Sequence, residues 1–241
     1  MCVIYIAFHV RKDYPLILLA NRDEYYSRPT ESSHRWPDHP EILAGRDTVS
    51  GGTWLGVTEG GRFAAVTNYR DPNEKKRGTS RGSLVADFLR SKVPAEDFLT
   101  IAREKAHEFA GFNLIVGEMN ARRNELYYFS NRIGTVEKLE KGIYGLSNRL
   151  LDTPWPKVDK GKNALSDNLD QVTISVEPLF EMLRDETPAD DESLPDTGIG
   201  YEREKLLSAI FIKSPDYGTR CSTVLRFDAT FNFDFDERVF V

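Results

Sequence analysis

Only two cysteines, Cys2 and Cys221, occur in this 241-residue chain, and no paired cysteine spacing exists. That excludes a disulfide framework and a cysteine-based zinc site, and it suits a reducing compartment, so a cytoplasmic location is expected. The four histidines, His9, His34, His39 and His107, follow no metal-ligand pattern, so neither a metal nor a cofactor is expected. Long apolar runs are missing too: none approaches the ~18 residues of a membrane span. The apolar start, Met1 to Val10, lacks a basic leader and runs straight into Arg11, Lys12 and Asp13, unlike a signal peptide. Excess positive charge is absent as well. A formal net charge of −6 argues against a nucleic-acid backbone or an anionic membrane as the main partner. No internal repeat or low-complexity linker divides the chain, so one domain spanning residues 1–241 is expected.

What is present is a core. Hydrophobic residues make up 40% and aromatics 11%, which excludes a disordered class. Val3–Val10 and Leu16–Asn21 are short aliphatic runs around Arg-Lys-Asp-Tyr-Pro, which predicts a hairpin turning near Asp13. Paired residue numbers then sum to 25 or 26, placing Cys2 opposite Asp23 or Glu24. Residues 25–52, rich in Pro, His, Ser and Gly, read as loop. Trp54–Val57 and Phe63–Asn68 flank a Gly-Gly turn as a second hairpin.

Helical spacing marks Gly82–Arg90, Pro94–Phe109, the stretch from Trp155 to Leu169, Val176–Leu183 and Glu202–Ala209. Strands are expected at Phe112–Gly117, Glu125–Ser130, Gly142–Leu146, Ser222–Phe227 and through the alternating Phe231, Phe233 and Phe235, with an acidic loop at Asp185–Asp196. Strands, helices, strands, helices, strands is not an alternating βαβ order. It points to large sheets carrying helices on their outer faces.

Cys2 is the most chemical position. Trimming Met1 would leave a thiol and a free α-amine on one carbon, groups that titrate near ~8.5 and ~7.7–8.0, so one can serve as base for the other. The strand end Asn21-Arg22-Asp23-Glu24 is delivered beside it: an arginine stabilises a thiolate or an anionic substrate, and an aspartate can orient the amine. Asn68 and Asn148 each end an apolar strand, where a carboxamide or backbone N–H can donate to a developing oxyanion; both are also ordinary turn residues. Arg220 can bind a carboxylate or support the nucleophile, while Cys221 reads as a packed thiol. Gly78-Thr79-Ser80-Arg81-Gly82-Ser83 precedes a helix and can hold an anion there, but no Gly-Lys-Ser/Thr follows, so a P-loop is not supported. A Ser-His-Asp triad lacks a nucleophile elbow.

Met1-Cys2, Ala20-Asn21-Arg22-Asp23-Glu24, Ser27-Arg28-Pro29, Gly51-Gly52-Thr53-Trp54-Leu55-Gly56, Thr67-Asn68-Tyr69, Gly111-Phe112-Asn113-Leu114 and Tyr144-Gly145-Leu146-Ser147-Asn148 together resemble the NRDE family, in order along nearly the whole chain. That resemblance implies the N-terminal-nucleophile hydrolase superfamily and an α+β fold, a four-layer αββα sandwich of two stacked antiparallel sheets flanked by helices. It also implies a kinship with choloylglycine hydrolases and penicillin V acylases, which cleave linear amides.

Carried over residue by residue, the resemblance gives Cys2 as nucleophile and Asp23 as the carboxylate on the α-amine. Asn68 and Asn148 become oxyanion donors and Arg220 the late catalytic arginine. Asn21, Arg22, Glu24, Trp54 and Tyr69 stand as candidate substrate contacts. The position of the relatives' other catalytic arginine is Ala20 here, and the nearest arginine, Arg22, is expected on the opposite pleat. The expected ligand is a small-molecule acyl amide. The alternative is a binding or trafficking protein for a haem- or lipid-like molecule on the same scaffold.

Overall fold

The strand Cys2–Phe8 (β1) is buried on both faces: Ile4, Ile6 and Phe8 point one way, Val3, Tyr5 and Ala7 the other. A strand covered twice must lie in an inner layer, and the computed structural model, which describes residues 2–74 and 78–241, shows four layers.

The first sheet is antiparallel and contains Leu16–Tyr25 (β2), Gly142–Leu146 (β10), Tyr217–Phe227 (β11) and Phe233–Val239 (β12) beside β1, in the order β10-β1-β2-β11-β12. The second has seven antiparallel strands in sequence order: Thr30–Trp36 (β3), His39–Asp47 (β4), Leu55–Thr58 (β5), Arg62–Asn68 (β6), Phe112–Asn120 (β7), Arg123–Ser130 (β8) and Val136–Lys138 (β9). Between the sheets lies one core, including Ile4, Leu18, Phe63, Ile115 and Phe227. Gly82–Arg90 (α1) and Ala95–Glu104 (α2) cover the outer face of the second sheet through Leu84, Phe88 and Leu99. Pro156–Leu169 (α3) and Val176–Leu183 (α4) cover the outer face of the first through Leu165, Leu179 and Leu183. A short helix, Tyr201–Leu206 (α5), follows the acidic loop. The four-layer αββα sandwich is thus present. No described helix is long and apolar enough to cross a membrane.

Three expectations are corrected. Residues 25–52 are not loop: β3 and β4 run through them as the outer strands of the seven-stranded sheet. Only Trp36, Ile42 and Ala44 give them fully buried apolar side chains, and the pairing is interrupted between Glu31 and His34 and again between Arg35 and Trp36. An irregular, polar strand is how sheets blunt an edge, and it erases the period-two signal. The helix expected over Pro94–Phe109 ends at Glu104, with only a 3₁₀ turn at Ala106–Glu108 after it. Finally, the first hairpin turns half a residue earlier than its spacing implied, and Cys2 pairs with Arg22 rather than Asp23 or Glu24. A slip of one residue exchanges the faces of every side chain, so the consequence for the site is large.

Helix α3 lies so close to β1 that only glycine fits at one contact. A Cβ on Gly161 would fall 2.1 Å from the ring of Tyr5, whose hydroxyl donates to the Lys157 carbonyl at 2.7 Å. Alanine would gain about 1 kcal/mol of helix preference but force a clash worth about 1–3 kcal/mol. Gly161→Ala is therefore expected to lower the midpoint of denaturant unfolding; an unchanged or raised midpoint would show that the contact yields freely.

A candidate active site at one end of the sandwich

Ala20 and Arg22 are two residues apart on β2, so both face the inter-sheet layer. The expectation that Arg22 lies on the opposite pleat is corrected accordingly. A row of inward-facing partners, Cys2, Arg22 and Cys221, crosses β1, β2 and β11 at the end of the first sheet. There the sheets part and leave a cleft of about 440 Å³, lined among others by Cys2, Arg22, Asp23, Glu24, Trp54 and Asn68.

Arg22 is 6% exposed and stacks its guanidinium 4.4 Å from the centroid of the Trp54 ring, a cation–π contact that fixes it beside the thiol. Cys2 is half-buried. Burial pushes its thiol above the ordinary value, opposed by the main-chain N–H of Asp23 and the Arg22 charge.

The segment after β10 ties the nucleophile candidate to the two asparagines. The Ser147 hydroxyl donates to the Cys2 carbonyl at 3.3 Å, and Thr67 donates to the Ser147 carbonyl at 2.7 Å. Asn148, fully buried, donates its carboxamide to the Asn68 carbonyl at 2.9 Å and accepts the Arg70 N–H at 2.7 Å. Asn68 closes β6 and lines the cleft with Cys2, whereas Asn148 stands behind Asn68. Asp23 is 1% exposed and accepts a hydrogen bond from Thr219 at 2.7 Å. Burial raises its carboxyl above the usual carboxylate range; the nearby Lys157 charge and the Thr219 bond act the other way.

Other candidates sit elsewhere. Asn21 occupies the outer face, where its carboxamide donates to the carbonyls of Leu183 and Ile210 at 2.8 and 2.9 Å and accepts from Ser222 at 2.5 Å. It pins α4 to the sheet and does not reach the cleft. Arg220 falls at an irregularity in β11 and is turned away from Cys2, donating to the carbonyls of Tyr25, Arg28 and Val241. It fastens the chain after β2 to the C-terminal strand. Glu24 lines the cleft and caps its own neighbour, the Tyr25 N–H, at 2.9 Å. Tyr69 belongs to a second cleft of about 460 Å³, and the guanidinium groups of Arg132 and Arg149 lie 5.2 and 5.0 Å from its ring centroid. That cleft adjoins the first through Asn68, Arg81 and Ala110. Cys221 is 4% exposed, a packed thiol. Met1 lies outside the described residues.

Two further residues belong to the site: Lys157, not singled out from sequence, and Arg81, named there only within the Gly78-to-Ser83 stretch. Lys157 is 2% exposed, and its ammonium has no hydrogen-bond partner among the described residues. Burial pushes it down to about 8, against the upward pull of the Asp23 carboxylate. Its signal was available: Lys157, Gly161 and Leu165 recur every four residues on the buried face of α3. Arg81, at the head of α1, lines both clefts and donates to the Gly111 carbonyl at 3.2 Å.

Fold and site together define an αββα sandwich in which the thiol at the start of β1, a buried arginine and an asparagine converge at one end of the paired sheets. The family profile described as Transport and Golgi organisation 2 matches residues 1–241, and the chain belongs to that family. It is 37% identical over 256 residues to the Transport and Golgi organization protein 2 homolog of Bos taurus, covering 99% of this chain and 92% of that protein. The Homo sapiens homolog is 35% identical over the same span. The Drosophila melanogaster protein is 28% identical over 178 residues, covering 67% of this chain and 62% of that protein. Among solved structures, a Caenorhabditis elegans N-acylethanolamine-hydrolyzing acid amidase ortholog is similar at a TM-score of 0.45 and 11% identity, over 95% of this chain and 93% of that one.

Proposed function

We propose that the chain, once Met1 is removed, is a cysteine N-terminal-nucleophile hydrolase of linear amides or related acyl bonds. The observation that carries this reading is the inward row in which Cys2 faces Arg22 within a cleft also lined by Asn68.

The freed α-amine of Cys2 takes the thiol proton, and the sulfur adds to the acyl carbonyl. The oxyanion is held by the Asn68 carboxamide, and Asn148 ties down the Asn68 main chain through its carbonyl. Asp23 orients the amine, and Arg22 supplies the positive charge that favours a thiolate. The tetrahedral species collapses to a thioester as the amine product leaves with the proton, and water then releases the acid. Arg220 serves by positioning the chain after β2.

Incubating the processed protein with a panel of N-acyl amides and acyl thioesters tests the reading through release of amine or thiol. Asn68→Ala is expected to lower kcat about 10²–10³-fold, the usual cost of one oxyanion donor. Failure of every substrate to turn over would remove the hydrolase.

A second reading, a non-catalytic carrier of a haem- or lipid-like molecule, is favoured by two observations: Ala20 stands where the related hydrolases carry arginine, and the second cleft has an apolar wall that includes Ile199, Leu206 and Leu207. Saturable binding that survives Cys2→Ala with no product released would favour it.

A further inference from the structure

We propose that the Cys2 cleft holds a monoanionic carboxylate of its ligand, seated between Arg22, Arg81 and the first turn of α1, while an apolar acyl chain lies in the adjoining second cleft. The inference rests on reading this cleft as the reacting site. Three observations carry it.

Arg22 is a buried cation with no ion pair and no hydrogen bond to any described residue, held by Trp54 alone. A buried charge without a partner is costly, so the position calls for an anion. Helix α1, nine residues long, starts at this cleft: Thr79, Ser80, Arg81 and Gly82 line it, no side chain caps the helix, and its first turn contains no acidic residue. The Ser83 and Leu84 N–H groups already donate to the Ser80 and Arg81 carbonyls, so what α1 turns toward this space, beside the two guanidinium groups, is its positive dipole end at Gly82.

The cleft's own acids set the charge that fits. Asp47 is held by Arg28 at 2.7 Å, Asp23 is bonded to Thr219, and Glu24 faces the cleft beside them. Asp23 and Glu24 already oppose the two arginines, so a ligand with a single negative charge meets far less repulsion here than a polyphosphate would. On the far side of Asn68 and Arg81, Tyr25, Tyr217, Ile199, Leu206 and Leu207 form an apolar wall, and Arg70 at the rim of that cleft is already paired with Glu204. An N-acyl amino acid has this layout, an acid at one end of the amide and an alkyl chain at the other.

Calorimetry on the Cys2→Ala protein with N-decanoylglycine and N-decanoylethanolamine decides the matter, because the two ligands differ only in carboxylate against hydroxymethyl. The acid is expected to bind roughly 10- to 100-fold tighter, the range of one or two charge-assisted hydrogen bonds. Arg81→Gln and Arg22→Gln should each reduce that preference by about tenfold, and Arg22→Lys should restore part of it. Because Arg22 is buried, Arg81→Gln stands as the variant that keeps the test open should Arg22→Gln not fold. Equal affinity for the two ligands, a preference untouched in Arg81→Gln, or tighter binding of decanoyl phosphate than of N-decanoylglycine would overturn the proposal. Since binding is measured without turnover, the anion site can fail while the thiol chemistry stands, and the reverse.

Discussion

Cys2→Ala is expected to lower amide turnover by at least about 10⁴-fold while leaving the unfolding midpoint nearly unchanged, since removing a nucleophile costs about that much or more where residues act as a unit. The contrast between the two readouts is the point. Cys2 begins β1 and is half-buried, so its sulfur contributes little packing, whereas Ile4 and Ile6 behind it are in the core. Cys2→Ser makes the argument sharper, because a hydroxyl keeps the size and the pairing with Arg22 but is a far weaker nucleophile at neutral pH. Activity retained in either variant would move the chemistry away from this residue.

Lys157→Met should change the pH dependence of stability between neutrality and about 10.5. In the folded protein burial holds this ammonium at about 8, against an ordinary value near 10.5. A group with a lowered folded value has released its proton in the native state while the unfolded chain still holds one, so stability is complete above about 10.5 and is lost as pH falls through about 8. A gap of that size corresponds to roughly 3 kcal/mol. The difference in stability between wild type and Lys157→Met is therefore expected to shift by about that amount, in favour of wild type, as the pH is raised from neutrality to about 10.5. The same substitution removes a positive neighbour from Asp23, so the acid limb of the pH–rate profile should move to higher pH. A stability difference that stays flat across this window would mean that the ammonium is solvated or paired in the native state.

The chain announced its elements more openly than its geometry. The two early hairpins follow from continuous apolar runs bounded by turn residues, while the helices and the alternation at Phe233 and Phe235 follow from period. The strands β3 and β4 do not, because their outward residues are polar and their pairing is irregular. The site was legible as a set of residues but not as an arrangement. Cys2, Asp23, Asn68 and Asn148 could be picked out by chemistry; that Arg22 faces Cys2 depended on a half-residue difference in a turn, which spacing alone does not resolve. Asn21 and Arg220 read as polar and therefore functional, yet their work is to satisfy buried carbonyls. Lys157 was passed over within the Trp155–Leu169 helix, although its spacing with Gly161 and Leu165 placed it on the packed side.

The most direct measurement is the intact mass of the purified protein before and after reaction with an electrophilic acyl probe. The account predicts a chain lacking Met1 that gains one acyl group, located by fragmentation on Cys2 and absent from Cys2→Ala. A chain that retains Met1, or an adduct that forms on Cys221 instead, would contradict it.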